Sequence, residues 1–249
     1  MIPILNHDDI ESMRLACRLS AQILAETAER VAPGITTGEL DRFAAERMAS
    51  LGVASAFYQY NGFPGYCCIS LNEEVVHGIP GPRILNEGDI VSIDLGVRTG
   101  GFNGDNATTV RVGQVSPDVD RLCKVTEESL WAGIDQARAG RHVGDIGHAV
   151  QKVAEAAGFG VVRDYCGHGV GRHLHEDPQI PNFGHPGRGA LLKPGMCLAI
   201  EPMITLGTYR VRVLPNDWTV VTRDGQPAAH YENTVLVKAV GAPEVLTRP

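Results

Sequence analysis

The chain has 249 residues, with 22 basic and 29 acidic side chains and a formal net charge of −7. This length is enough to bury a large core, in one large domain or in two small ones. No run of Lys or Arg could follow a phosphate backbone, so the composition argues against DNA or RNA as a partner.

The amino-terminal segment, MIPILNHDDIE, does not resemble a secretion signal. It has no basic region and it reaches two aspartates by position 9. No apolar run further along approaches the roughly 20 residues that a transmembrane helix needs. The six cysteines show no CxxC spacing. We therefore expect a cytoplasmic chain with free thiols and no membrane partner.

Four helices are predicted from apolar side chains that recur at a period close to 3.6 residues. They are expected over residues 8–31, from Thr37 to Gly52, from Ser116-Pro117 onward, and over residues 145–157. Asp8 is the expected N-cap of the first helix, and glycine after the second and fourth helices is a typical termination signal.

Runs that favour β-strands lie between and after these helices, which predicts an α+β fold. They are DIVSIDLGV, NATTVRV, MCLAIEPMITL, WTVVT and NTVLVKA. A hairpin turn at Thr99-Gly100 would place Asp94 directly opposite Asp105. Two carboxylates in such a pair need a cation or a shared proton between them, although two acids alone could also belong to a solvated loop.

An internal repeat accompanies these elements. PGITTGEL at 33–40 aligns with AGRHVGDI at 139–146 at an offset of 106, and LNEGDIVSID at 85–94 aligns with LKPGMCLAIE at 192–201 at an offset of 107. A looser third pair is Asp105-Asn106 with Glu232-Asn233. Any one match could arise by chance, but two in order at nearly one offset favour duplication.

The repeat predicts one domain over residues 1–249, built from two halves of about 8–112 and 117–240. Each half would contribute two carboxylates to a site on a pseudo-twofold axis. A ligand set of four carboxylates and one histidine has four negative charges, which two divalent ions would neutralise. Oxygen-rich ligands suit Mn²⁺, Fe²⁺ or Co²⁺. Structural zinc would favour thiolates, and the cysteines lie elsewhere.

These motifs resemble the type I methionine aminopeptidases over nearly the whole chain. The matching segments are NEEVVHGIP, SIDLG, GD at Asp105, CGHGVGRHLHEDP, AIEPM and HYENTV. The resemblance implies the pita-bread fold, in which two pseudo-twofold-related α/β halves carry antiparallel sheets covered by helices. It also implies removal of the N-terminal methionine from new proteins with a small second residue, by attack of a metal-bridging water or hydroxide.

The resemblance further implies roles for individual residues. The ligands of two divalent ions (Co, Mn or Fe) would be Asp94, Asp105, His168, Glu201 and Glu232, with Asp105 and Glu232 bridging. Glu201 would also transfer the proton, while His77 and His175 would position the scissile amide. The methionine pocket would contain Tyr60, Phe63, Cys68 and Trp218, for which ordinary core packing is the alternative.

Some positions and some rival functions stand beside this interpretation. Asn61, Leu174 and Phe57 depart from the commonest family pattern and affect the expected pocket shape. The other histidines are interpreted as lying outside the site: His7, His142, His148, His173, His185 and His230.

One rival is a proline-specific peptidase of the same architecture, which usually carries a separate N-terminal domain. The other is a non-catalytic paralogue, which should have lost ligands that this chain keeps. Nascent N-termini are the implied partners, with the ribosome as a candidate docking partner and a monomer as the expected state.

Overall fold

The structure is a computed structural model that describes residues 2–248. Its four helices are α1 (His7–Ala28), α2 (Thr37–Ser50), α3 (Pro117–Gln136) and α4 (Val143–Ala156). All four predicted helices are therefore confirmed. The N-cap of α1 is Asn6 and not Asp8, because the Asn6 side chain accepts a hydrogen bond from the Asp9 N–H at 3.0 Å. None of these helices is both long and apolar enough to span a membrane.

The strands within residues 2–248 pair only in the antiparallel sense. They are β1 (Ala54–Ser55), β2 (Cys68–Leu71), β3 (Glu74–Val76), β4 (Ile90–Thr99), β5 (Phe102–Arg111), β6 (Gly160–Val161), β7 (Gly167–Gly169), β8 (Glu176–Ile180), β9 (Cys197–Ile200), β10 (Met203–Thr205), β11 (Val211–Val213), β12 (Val220–Thr222), β13 (Ala228–His230), β14 (Glu232–Leu236) and β15 (Glu244–Val245). Together with the helices, they confirm the predicted α+β class.

A nine-stranded sheet joins the two parts of the chain. Its order is β1-β4-β5-β14-β9-β7-β8, with β2 also paired to β4 and β15 to β14. Two smaller sheets of three strands have the orders β13-β10-β6 and β11-β12-β3. At the centre of the large sheet, β5 of the first half pairs with β14 of the second half, where Glu232 lies opposite Ala107.

The register of the β4–β5 hairpin differs from the predicted one. Thr99 pairs with Phe102, so the two-residue turn is Gly100-Gly101, and Asp94 faces Ala107 while Asp105 faces Gly96. Both turn residues have positive φ, at 58° and 81°. Two-residue hairpin turns of this type need positive φ at both central positions, which glycine adopts easily and a β-branched threonine does not. The prediction that Asp94 directly opposes Asp105 is therefore wrong, although the shift of two keeps both side chains on one face.

The strand predicted as MCLAIEPMITL is also divided in two. β9 ends at Ile200, Glu201-Pro202 lies between, and β10 starts a different sheet. Proline has no N–H to donate to a ladder, which explains the break at this position. A similar change of sheet occurs at Tyr231, between β13 and β14. Each break places a glutamate at a strand end, Glu201 after β9 and Glu232 at the start of β14.

Helices cover the sheet in both halves. In the first half, α1 packs against β4 and β5, and buried side chains such as Ile23, Leu40 and Ile93 form a common core. In the second half, α3 packs against α4, and Leu130 and Val150 belong to a core that includes residues from β9 and β14. The two cores flank the central β5–β14 junction and hold it in place.

The aligned sequence segments make equivalent backbone contacts in the two halves. The Gly34 N–H donates to the Leu85 carbonyl at 2.8 Å, and the Gly140 N–H donates to the Leu192 carbonyl at 3.0 Å. An isolated β-bridge follows in each half, between Thr36 and Ile84 in the first and between His142 and Leu191 in the second. The helices that come next, α2 and α4, each have 14 residues. We propose on this basis that the halves arose by duplication within a single domain.

Candidate metal centre and active site

A cavity of about 270 Å³ lies on the side of the central junction to which the acidic side chains point. All residues that the sequence analysis assigned to the site line it: Tyr60, Phe63, Cys68, His77, Asp94, Asp105, His168, His175, Glu201, Trp218 and Glu232. The three positions that depart from the family pattern, Phe57, Asn61 and Leu174, line it as well.

Four carboxylates meet at one end of this cavity. Asp94 comes from β4, Asp105 from β5, Glu201 from the end of β9 and Glu232 from the start of β14. Asp94 and Glu232 both lie opposite Ala107, and Asp105 is two residues before it, which places all three on the same face of the sheet. Asp105 and Glu232 are only 3% and 4% exposed.

His168 completes this group. Its Nδ1–H donates to the Gly169 carbonyl at 2.9 Å, which leaves the lone pair on Nε2. Nε2 lies 3.7 Å from Asp105 Oδ2 and 3.5 Å from Glu201 Oε1. Three ligand atoms, one from each of Asp105, His168 and Glu232, all lie within 4.8 Å of one another. These are suitable positions for ligands of a shared cation.

The electrostatics of the group also fit a cation. Asp94 Oδ1, Asp105 Oδ1 and Glu232 Oε1 are buried without a hydrogen-bond partner, and no Lys or Arg within residues 2–248 lines the cavity. Burial raises the pKa of Asp105 to about 7, and it raises the pKa values of Asp94, Glu201 and Glu232 well above their usual range. Buried carboxylates of this kind are normally paired or bound to metal, so these residues fit divalent ions.

His77 and His175 lie beside the carboxylates and are neutral near pH 7. Burial, with a smaller contribution from His175, lowers the pKa of His77 to about 4; burial also lowers the pKa of His175. The His175 ring contacts the His168 ring edge-on at 4.4 Å, and its Nδ1 is hydrogen-bonded to the Tyr60 hydroxyl at 2.8 Å. His77 has a φ of 59°, a left-handed backbone conformation that is uncommon for residues other than glycine.

The other end of the cavity is apolar. The Phe63 and Trp218 rings pack edge to face with centroids 5.1 Å apart. A buried cluster joins Phe63 to Phe57, Cys68 and Leu174. The predicted pocket residues Tyr60, Phe63, Cys68 and Trp218 are thus brought together. Four further residues line the cavity without having been predicted: Val76, Tyr165, Cys166 and Met203. Three of them lie inside the matching segments, but their side-chain types do not distinguish them from core residues.

His230 is the most important residue that the sequence analysis placed outside the site. It is 1% exposed, and its Nε2 lies 3.5 Å from Glu201 Oε2. Neither ring nitrogen has a hydrogen-bond partner, and burial lowers the pKa of the ring to about 3. No short-range signal in the sequence indicates this role, because His230 ends β13 and Glu232 begins β14 in a different sheet. By contrast, His7 and His173 are exposed.

Comparisons with known proteins agree with this geometry. A family model described as metallopeptidase family M24 matches residues 11–239. The methionine aminopeptidase of Clostridium acetobutylicum is 48% identical over 248 residues, which are 99% of each chain. The crystal structure of methionine aminopeptidase from Thermotoga maritima has a TM-score of 0.98 at 44% identity and covers 100% of both chains.

A more distant structure shares the fold only. Prolidase from Pyrococcus furiosus has a TM-score of 0.79 and 22% identity, and the match covers 99% of this chain but 65% of the prolidase. The pita-bread fold implied by the sequence resemblance is therefore confirmed. Since the family model and the relatives at high identity extend over nearly all residues, the chain belongs to metallopeptidase family M24 and, within it, to the methionine aminopeptidases.

Proposed function

We propose that the chain removes the N-terminal methionine from newly made proteins whose second residue is small. The observation that carries this proposal is the convergence of four carboxylates and His168 beside an apolar pocket in one cavity. The names of the relatives and the retained site residues support hydrolysis over a non-catalytic binding role. The 48% sequence identity to the methionine aminopeptidase of Clostridium acetobutylicum favours methionine removal over a proline-specific activity.

We propose that two divalent ions bind here, with Co, Mn and Fe as candidates. Asp94, Asp105, His168, Glu201 and Glu232 would hold them, because these residues supply the unpartnered oxygens and the free Nε2 of the cavity. When bound, such ions polarise a carbonyl group and lower the pKa of water toward neutrality. Neutral His168 and ionised carboxylates are the ligand forms that this binding requires.

Glu201 is the residue best placed to accept and return a proton during hydrolysis. Its two carboxylate oxygens lie 3.5 Å from His168 Nε2 and 3.5 Å from His230 Nε2, and an ionised carboxylate can accept a proton. His77 and His175 are neutral and can donate hydrogen bonds to the oxygen of the tetrahedral intermediate. In the tautomer of His175 whose Nδ1 accepts the hydrogen bond from the Tyr60 hydroxyl, the proton is on Nε2, where it can be donated. Loss of one such donor typically costs about 10² to 10³ in rate.

The same arrangement accounts for an exopeptidase. A free α-amine is positively charged at neutral pH and is attracted to the acidic end of the cavity. The methionine side chain is flexible and polarisable, which suits the apolar end with its aromatic edges from Phe63 and Trp218. A bulky second residue would crowd the space between His77, His175 and the carboxylates. The substrates we expect are therefore chains that begin with methionine and a small residue.

The experiment that tests this proposal is timed release of methionine from Met-Gly and Met-Leu peptides. Protein stripped by a chelator is reloaded with single metals and compared with a Glu201→Gln variant. We expect release from Met-Gly peptides that depends on metal, slow release from Met-Leu peptides, and loss of turnover in the variant. Absence of metal-dependent release from Met-Gly peptides would refute the proposal, and cleavage of Xaa-Pro peptides alone would favour the prolidase alternative.

We further propose that nascent N-termini are the physiological substrates and that the chain works in the cytoplasm as a monomer. The six cysteines are free thiols in the structure, which suits a reducing compartment. Docking at the ribosome stays a candidate partner interaction. It can be tested by co-sedimentation of the purified chain with ribosomes at low and physiological salt.

A further inference from the structure

A second concavity opens beside the candidate active site. It has a volume of about 430 Å³ and shares Tyr60, Leu174 and His175 with the first cavity, so the two are adjacent. The shared side includes the Tyr60–His175 hydrogen bond. We call this second concavity the outer groove. Since a peptide bound in the first cavity has to leave toward solvent, the outer groove is a natural path for it.

The charge of the outer groove differs from that of the rest of the molecule. It is lined by Arg98, Arg172 and His173, and none of its described lining residues is an aspartate or glutamate. The whole chain has a formal net charge of −7, and the neighbouring cavity holds four carboxylates. The presence of two arginines beside an acidic site therefore requires an explanation.

The two arginines are held differently. The Arg172 guanidinium is anchored, because it donates to Asp9 Oδ1 at 2.7 Å and stacks on the Phe102 ring at 4.5 Å. The Asn103 side-chain amide donates to the Gly171 and Arg172 carbonyls at 3.0 and 3.1 Å, which fixes this segment. Arg98 lies opposite Asn103 in the hairpin, is exposed, and has no ion-pair or hydrogen-bond partner for its side chain within residues 2–248. Its guanidinium is available to a ligand.

We propose that the outer groove binds the part of the substrate that follows its small second residue, and that Arg98 and Arg172 favour acidic side chains there. This inference rests on the proposed function. An extended chain advances about 3.3–3.6 Å per residue, so the third and fourth residues are the first to leave the catalytic cavity. Guanidinium groups match carboxylates with two parallel hydrogen bonds, whereas a lysine side chain in the substrate would be repelled.

The size of the preference follows from exposure. Exposed ion pairs contribute modestly, which corresponds to about two- to fivefold in affinity for each pair. The interaction forms in the ground-state complex as well as in the transition state, so we expect it mainly in KM. Salt should weaken it, because the Debye length falls to about 8 Å at physiological ionic strength.

The test uses three C-terminally amidated peptides, Met-Gly-Glu-Glu-Leu, Met-Gly-Gln-Gln-Leu and Met-Gly-Lys-Lys-Leu, with the metal-loaded enzyme at low and high salt. We expect kcat/KM to fall in that order and the differences to shrink at high salt. Equal values for the Glu and Gln peptides at low salt would overturn the inference. Absence of release from all three peptides would instead count against the proposed function.

Charge variants assign the preference to the outer groove. Arg98→Gln should lower the ratio of kcat/KM between the Glu and Gln peptides, and Arg98→Glu should shift the preference toward the Lys peptide. Arg18→Gln is the matched control, because Arg18 is exposed on α1 and lines neither concavity. The inference is wrong if Arg98→Glu keeps the parent ratio, or if Arg18→Gln changes it as much as Arg98→Gln does.

Discussion

At the scale of single residues, the site depends on groups that fix the orientation of others. Asn182 is buried, and its amide donates to the Glu201 carbonyl at 2.9 Å, so the backbone of Glu201 is held. On the side-chain end, His230 Nε2 lies 3.5 Å from Glu201 Oε2. Partners of metal ligands typically fix the ligand geometry and raise metal affinity.

His230 therefore gives a prediction about metal binding. His230→Leu removes the ring nitrogen that lies 3.5 Å from Glu201 Oε2, and we expect metal affinity to fall about 10- to 100-fold. His230→Gln keeps an N–H at a similar reach and should restore most of the affinity. Calorimetric titration of chelator-stripped protein with Mn²⁺ measures both variants without recourse to activity.

Thermal unfolding of the same stripped proteins serves as the control for His230. The leucine variant should be no less stable than the parent, since it removes a buried ring whose nitrogens lack partners. Parent-like Mn²⁺ affinity in the leucine variant would show that His230 does not orient Glu201.

Tyr60 gives a second residue-scale prediction. Tyr60→Phe removes the hydrogen bond to His175 Nδ1. One hydrogen bond is worth about 0.5–1.5 kcal/mol, so we expect kcat for Met-Gly peptides to fall about two- to tenfold. Steady-state kinetics check this, with Tyr66→Phe as the control; Tyr66 stacks on Tyr58 at 4.5 Å and lines neither concavity. Equal losses in both variants would argue against a positioning role for Tyr60.

The structure brings together the residues that chemistry and motif selected jointly. Asp94, Asp105, His168, Glu201 and Glu232 could be selected because their motifs are long and occur in a characteristic order. His230 could not be selected in this way, because its role depends on its contact with the Glu201 carboxylate. That contact forms because the chain changes sheet after β9 and again after β13. Such a contact joins residues on different strands and leaves no short-range pattern in the sequence.

At the scale of elements, helix boundaries were easier to predict than hairpin register. Capping residues such as Ser116 are local signals, and the Ser116 side chain does accept a hydrogen bond from the Val119 N–H. The predicted turn, Thr99-Gly100, is displaced by one residue from the observed turn, Gly100-Gly101. Both observed turn residues have positive φ, which favours glycine at both positions.

A glycine substitution in this turn tests that account. Gly101→Ala places a Cβ on a residue with φ of 81°, where its nearest neighbour, Arg172 Nη1, is 3.8 Å away, so the cost is conformational and not steric. We expect the free energy of unfolding to fall by about 1 kcal/mol. Urea denaturation measures this change in the free energy of unfolding. Gly81→Ala is the control, since Gly81 has open space around it and no positive φ. Equal stability of the two variants would refute the assigned turn type.

At the scale of the whole molecule, stability is linked to pH and to metal through the buried carboxylates. Burial raises the pKa of Asp105 from 3.8 to about 7, so the folded state binds this proton more tightly than the unfolded chain does. The associated stability is fully present below the unfolded value and is lost as the pH rises through the folded value. Asp94, Glu201 and Glu232 act in the same direction.

Metal binding should reverse this trend, because divalent ions bind the deprotonated carboxylates. We expect the difference in Tm between Mn²⁺-loaded and EDTA-treated protein to widen from about pH 5.5 to about pH 7.5. Differential scanning calorimetry at both pH values measures this difference. In an Asp105→Asn variant, this Tm difference should increase much less between the two pH values. A Tm difference that does not change with pH in the parent protein would contradict the linkage between metal binding and carboxylate protonation.

The β5–β14 junction has a consequence for any fragment of this protein. Asp94 and Asp105 come from one side of that junction and Glu201 and Glu232 from the other, with Glu232 opposite Ala107. Cleavage of the chain near residue 114 would give two fragments. Each fragment would contain two of the four carboxylates and one strand of the junction, β5 or β14, without its partner. Neither fragment alone should bind Mn²⁺ tightly, whereas a mixture of the two should bind it. Mn²⁺ binding by the mixed fragments would therefore measure whether the β5–β14 junction has formed.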